Sequence, residues 1–293
     1  MGLLCLLGCL TFSCQNSEGK SKCHEKANIP TTPLVCVDNY PLFYMANRIG
    51  NGQVEVCFPG LGDVNPAFWM PDPKSIQIFQ SADLILLNGK GYSHWTQRVK
   101  LPRKRTVNTL ADIEQRIEIP AVFPSQKLNY NLWLNPVHAT VQAKNVYSSL
   151  TRLKPESKTL FEKQLEGLEK DLNEMEEVMR QNLKARKGEV LLTNTYEFDY
   201  LFEQYGLEVM HFNWNVNASR REGEWMRFKA YYQKYHWRKI ICSELPPDPI
   251  REKLRQYGVE PMVLNSCANV CVEGDYLLVM KENLNKLDHL LRE

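Results

Sequence analysis

The sequence predicts an α/β protein of two lobes, each with a parallel sheet, joined by one long rigid helix. Three observations predict it. Short apolar runs alternate with helical patterns from Thr32 onward, which is the signature of parallel β-α-β units. A single uninterrupted helical stripe occupies the middle of the chain. The alternation then resumes to the C-terminus.

In the first half, Leu34–Val37 (LVCV) reads as a buried strand, and Leu42–Ile49 as a helix stopped by Gly50-Asn51-Gly52. Val54–Phe58 is a second strand, Lys74–Gln80 a short helix, and Asp83–Leu87 a third strand closed by Asn88-Gly89. After Lys154-Pro155-Glu156, apolar side chains recur at Phe161, Leu165, Leu168, Leu172, Met175, Met179 and Leu183. Steps of three and four place them on one helix face. Pro155 suits a first turn, Glu156 complements the positive helix end, and Gly188 follows as a stop. Such a helix of about 28 residues is about 40 Å long, and its acidic face reads as solvated. In the second half, Glu189–Asn194, Glu208–Phe212, Lys239–Ser243 and Met262–Leu264 read as strands, with helices at Tyr196–Gln204, Pro249–Tyr257 and Tyr276–Leu291. The organisation that follows is an exported segment over 1–14, a polar tether over 15–31, an N-terminal lobe over 32–150, a linking helix over 151–187 and a C-terminal lobe over 188–293.

Composition narrows the function classes. In 293 residues, 36 Lys and Arg against 34 Asp and Glu leave a formal charge of +2, too balanced for an electrostatic nucleic-acid binder. The sequence contains no GxSxG, HExxH, P-loop or complete GxGxxG, and Gly89-Lys90-Gly91 reads as a turn. The six histidines are scattered, and the cluster Arg98, Lys100, Arg103, Lys104, Arg105 lacks interleaved aromatics and reads as a solvated loop. No enzyme emerges.

Met1–Ser13 is an uncharged apolar run with the length of a signal-peptide core, without the usual basic start. Cys14, followed directly by a polar tether, is the expected lipidated residue, with Cys9 the competing position and a buried N-terminal strand the bland reading. Lipidation would anchor the chain to a membrane outside the cytoplasm. Beyond the exported segment lie Cys23, Cys36, Cys57, Cys242, Cys267 and Cys271, with no CxxC. Two readings stay open for them: Cys242 pairs with Cys267 or Cys271, or the thiols are buried and reduced.

A set of short motifs carries a resemblance. Tyr40-Pro41-Leu42, Pro66, Pro71-Asp72-Pro73, Ala82-Asp83-Leu84, Asn88-Gly89, Gly91 and Trp95 come first. Leu132-Trp133-Leu134-Asn135-Pro136, Tyr205-Gly206-Leu207-Glu208-Val209, Glu244, Gly274-Asp275-Tyr276-Leu277 and Glu282-Asn283-Leu284 follow in order. Together, over Leu34 to Leu287, they resemble the zinc- and manganese-binding substrate-binding proteins of ABC transporters. The resemblance implies two α/β lobes bridged by a rigid helix with limited hinge closure. It also implies capture of a small solute or metal ion in the cleft between them, in the periplasm or at the cell surface, and delivery to a transporter permease. It implies zinc or manganese as the ion and no other cofactor.

Laid onto the family's ligand positions, this sequence departs from the pattern. The first-ligand histidine is replaced by Ala67, the second by Asn131, the third by Thr195, and the fourth-ligand aspartate by Asn265. None supplies an imidazole or a carboxylate, which zinc prefers. Three expectations follow. An ion is held by other residues, for example His211, Glu197 or Asp199; the cleft takes a small polar organic solute, with Asn and Thr beside Trp69 and Trp133; or the scaffold serves as a surface interaction or adhesion module.

Overall fold

The computed structural model describes residues 32–60, 62, 64–89, 91–114, 131–184, 186–214, 218–271 and 274–292. The exported segment, the tether, Cys9, Cys14 and Cys23 lie outside them.

The first lobe is built from β1 (Leu34–Val37), α1 (Tyr40–Gly50), β2 (Glu55–Cys57), α2 (Pro73–Ser81), β3 (Leu84–Leu87), β4 (Thr106–Asn108) and α3 (Ala111–Glu114). The strands pair in parallel in the order β2-β1-β3-β4, with Cys36 opposite Cys57 on one side and Ile85 on the other. Strand alternation divides the core. Val35 and Val37 face a cluster shared with α1, whereas Leu34 and Cys36 face Ile78 and Phe79 of α2 and Trp95. Every residue of β1 is therefore buried, as expected of an inner strand covered on both faces. Helix starts follow local chemistry: Asn39 accepts a hydrogen bond from the Leu42 amide and Asp72 from the Ser75 amide, each followed by a first-turn proline.

The long helix expected between the lobes is present, and a second helix that the pattern did not reveal packs along it. α4 (Pro136–Leu153) runs into a 3-10 turn at Pro155–Ser157, and α5 (Lys158–Lys184) folds back along it as a helical hairpin. All seven stripe residues of α5, Phe161 through Leu183, are buried. α4 escaped the hydrophobic pattern because its inner face is Ala139, Gln142, Ala143, Val146, Ser149 and Leu150, mostly small or polar. Its start was nonetheless written locally: Asn135 caps the Val137 amide at 2.9 Å and Pro136 occupies the first turn.

The second lobe repeats the plan with β5 (Val190–Thr193), α6 (Asp199–Gln204), β6 (Glu208–His211), α7 (Ala218–Tyr235), β7 (Lys239–Cys242), α8 (Asp248–Arg255), β8 (Glu260–Val263) and α9 (Tyr276–Arg292). The order β6-β5-β7-β8 is again parallel. Pro261 sits on the outer strand β8, where a missing amide donor is tolerated. A separate aromatic core joins Phe212, Trp214, Trp225, Phe228 and Trp237, with the Trp214 and Trp225 rings stacked 4.5 Å apart.

One core runs through both lobes, from Val35 and α1 across the α5 stripe to Phe198, Leu264, Tyr276 and Leu287. Polar ties reinforce it. The Trp133 indole N–H donates to the Ser266 carbonyl at 2.7 Å, the Tyr276 hydroxyl donates to the Trp133 carbonyl at 2.5 Å, and the Tyr40 amide donates to the Ala268 carbonyl at 3.0 Å. Arg48 of α1 pairs with Asp171 of α5 at 2.6 Å. The lobes are welded at this side, which opposes wide opening.

Of the two cysteine readings, buried thiols hold for Cys36, Cys242, Cys267 and Cys271. Cys242 belongs to the aromatic core, whereas Cys267 and Cys271 belong to the shared core, so Cys242 pairs with neither. Cys57 is disulfide-bonded.

Candidate functional site

Both sheets turn their C-terminal strand ends toward the lobe junction, the place where open α/β sheets present ligand-binding loops. In the first lobe this edge is stiffened by a buried polar network. Asp38, directly after β1, accepts the Asn88 amide at 2.9 Å and the Ser93 hydroxyl at 2.9 Å. Asn88 and Thr109, which follow β3 and β4, both accept from the Gln142 side chain of α4, at 3.0 and 2.9 Å. Burial pushes the Asp38 carboxyl up to about 7, and the hydrogen bonds from Ser93 and Asn88 pull the other way.

In the second lobe, the loop after β5 is folded by its own hydroxyls. The Thr193 hydroxyl donates to the carbonyls of Thr195 and Ile241 and accepts the Thr195 amide, each at 3.0 Å. The Thr195 hydroxyl then accepts the Glu197 amide at 3.2 Å. This staircase carries Glu197 to the junction, where Asn131 of the opposite lobe donates to its carboxylate at 3.4 Å. Ser266 and Ser243 also hydrogen-bond this carboxylate. Burial holds the Glu197 carboxyl above its usual range and the nearby Glu244 adds to the rise, while the two serine hydroxyls oppose it. Tyr92 is buried beside Asp38 and Glu197, with its ring edge-on to Trp133 at 5.4 Å.

The expected site residues distribute unevenly around this centre. Asn131 and Thr195 sit at it, both nearly buried. Asn265 is exposed and engaged elsewhere: its amide donates to Asn283 at 2.9 Å and its side chain accepts the Cys267 amide at 2.8 Å. Ala67 packs half-buried against the shared core, with its carbonyl accepting the His94 amide. Trp69 packs on the far face of the first sheet, edge-on to Trp95 at 6.1 Å. Trp133 is wholly buried and acts as the strut between lobes described above. His211 and Asp199 form their own pair at 3.2 Å, with Tyr196 stacked 3.9 Å from the imidazole. Among the described residues, no three His, Cys, Asp or Glu side chains converge in a way that could hold a metal ion.

Ser243, Ser266, Asp38 and Tyr92 were not singled out from the sequence. Asp38 alone carried a signal, as a carboxylate placed directly after an all-apolar strand. The serines are common loop residues whose role depends on which loop they meet.

The zinc-uptake complex component A periplasmic (ZnuA) family model matches residues 35–289. The chain belongs to that family. It is accordingly an extracytoplasmic substrate-binding protein and not an enzyme. Within the ZnuA family it is 24% identical to the high-affinity zinc uptake system protein ZnuA of Bacillus subtilis, over 99% of this chain and 97% of that protein. It is likewise 24% identical to the manganese ABC transporter substrate-binding lipoprotein PsaA of Streptococcus anginosus, over 76% of this chain and 77% of the other. Its fold matches the metal-dependent lipoprotein YcdH of Bacillus subtilis with a TM-score of 0.76, at 22% identity over 89% of this chain and 100% of that one. It also matches the laminin-binding protein Lmb of Streptococcus agalactiae, described as both adhesin and metal transporter, with a TM-score of 0.74, at 17% identity over 88% and 99% of the two chains.

Proposed function

We propose that this chain is the solute-capturing component of a zinc- or manganese-type ABC transporter, with its ligand held in the inter-lobe cleft and its metal site degenerate. In this reading it is tethered outside the cytoplasmic membrane through a lipidated Cys14 and hands its ligand to a permease. The observation that carries the reading is the junction itself: a partly buried carboxylate, Glu197, reached from the opposite lobe by Asn131 and flanked by Ser243 and Ser266. That donor set is all oxygen apart from amide N–H groups, with no imidazole or thiolate. Oxygen donors suit manganese better than zinc, and one partly buried carboxylate compensates only half of a divalent charge. The site is therefore expected to hold manganese weakly and zinc more weakly still.

The test is elemental analysis of the tether-free chain after loading with Mn²⁺ or Zn²⁺ and desalting, with thermal melts in parallel. An ion at 100-fold above its Kd stabilises by about 2.7 kcal/mol. The expected result is less than one metal per chain after desalting, and a manganese-dependent melting shift at millimolar concentration that Glu197→Gln abolishes. One tightly retained zinc per chain would overturn the degenerate site. No response to either ion, with stabilisation by a small organic solute, would move the function to the non-metal reading.

A further inference from the structure

The second sheet parts at the end away from the lobe junction. β6 and β5 pair over four residues each, as do β7 and β8, but the central neighbours β5 and β7 pair only at Thr193 and Ile241. Toward their starts the two strands diverge around Trp237. The chain leaves α7 through His236, whose backbone is left-handed (φ of +51°) and whose side chain is exposed, and Trp237 then turns inward. Its indole N–H donates to the Val190 carbonyl at 2.8 Å, so a side chain spans the gap between the strands. Between them lies a cavity of about 420 Å³, within the size range of small-molecule sites. None of Asn131, Glu197, Ser243 and Ser266 lines it.

The lining joins an apolar floor to a cationic side. Val190, Leu192, Ile241 and Leu290 supply the floor. Tyr235 and Trp237 line the cavity as well, but their ring faces are taken. Trp237 lies between the rings of Tyr235 at 4.9 Å and Phe228 at 6.4 Å, and Lys234 Nζ sits 4.7 Å over Tyr235. What these rings present to a ligand is therefore their edges, the positive rim of the ring quadrupole. Arg238 and Lys239 add two positive charges, whereas the one lining carboxylate, Glu189, is matched by Arg186 at 3.1 Å. Glu208 and Glu260, which open the two outer strands, are exposed and lie outside the lining. We propose that this cavity is a second ligand site, separate from the junction, and that it takes a small aromatic carboxylate. An aromatic body covers the apolar floor and offers its electron-rich face to the ring edges, and a single negative charge answers Arg238 and Lys239.

The experiment titrates phenylacetate into the full chain, with phenylacetamide as its uncharged match, and follows saturation-transfer NMR and thermal melts. Phenylacetate is expected to bind saturably at up to millimolar concentration and to raise the melting temperature, with the amide about tenfold weaker. Arg238→Glu changes an exposed side chain, and is expected to weaken phenylacetate about tenfold while leaving the amide unchanged. Tyr235→Ala is expected to weaken both probes. Glu197→Gln, at the junction, is expected to alter neither, which keeps this test apart from that of the transporter reading. Absence of saturable phenylacetate binding would overturn the proposal. So would equal binding of acid and amide, indifference of phenylacetate to Arg238→Glu, or its loss in Glu197→Gln.

Discussion

Replacing Asp38 by Asn separates two opposed forces on one buried group. Asp38 is 4% exposed and receives two donors, the Asn88 amide and the Ser93 hydroxyl. Those bonds favour the carboxylate, yet burial dominates and raises its pKa from an ordinary 3.8 to about 7. Because the folded-state value is the higher one, the native protein binds a proton that the unfolded chain has released across the interval between them. The contribution is thus fully present below pH 3.8 and is lost progressively as pH rises to about 7. A shift of about three units corresponds to about 4 kcal/mol at most. Asn keeps the acceptor for the Asn88 amide, and the Ser93 hydroxyl can turn to accept from the new amide, so the variant removes the charge and little else. The assay is thermal unfolding of both proteins from pH 4 to pH 8. Near pH 4 the two curves should coincide. At pH 8 the variant should be more stable, and even half the full effect, about 2 kcal/mol, would raise Tm by roughly 4–8 °C for a chain of this size. Other titrating groups cancel in the difference. A variant that melts lower than the parent at pH 8 would refute the reasoning, because the charged carboxylate held by its two donors would then be the stable form.

The remaining predictions concern the junction and the lobe weld. Introducing Ala67→His, Asn131→His, Thr195→His and Asn265→Asp together should create zinc binding, measurable by calorimetry, if these four positions converge in solution; no gain in a folded variant would mean that they do not. Tyr276→Phe removes only the hydroxyl that donates to the buried Trp133 carbonyl, and should cost about 1–2 kcal/mol in urea unfolding with an unchanged m value; an unaltered midpoint would show that this tie contributes nothing. The Arg48–Asp171 pair is partly exposed, 24% and 34% at the side chains, so a double-mutant cycle should give a coupling of at most about 1 kcal/mol that shrinks with added salt.

Much of the fold was legible because its elements are local patterns. The α5 stripe, the capped starts at Asn39 and Asp72, and the all-apolar β1 each declare themselves within a few residues. β4 was missed because Thr106–Asn108 is three half-buried residues at a sheet edge beside a run of charges. α7 was missed because its apolar residues are aromatics that enter a separate core, where Trp225 and Phe228 meet Trp214 and Trp237. α4 was missed because a helix packed closely along another needs small residues, which leave no strong stripe.

The candidate site divides along the same physical line. The amino-acid sequence by itself determined the α/β class, the long helix, the motif order of the family, and that Ala67, Asn131, Thr195 and Asn265 carry neither imidazole nor carboxylate. Those are properties of residue type and spacing, and no distant partner can change them. Tertiary structure alone decided that Trp133 is a strut between lobes, that Trp69 faces the far side of the sheet, and that Asn265 is bound to Asn283. It also decided that Glu197 becomes the junction carboxylate, through hydrogen bonds to residues 66 positions earlier and 46 and 69 positions later. Burial and hydrogen bonding are set by which loops meet at the ends of two sheets, and sequence spacing carries no information about that meeting.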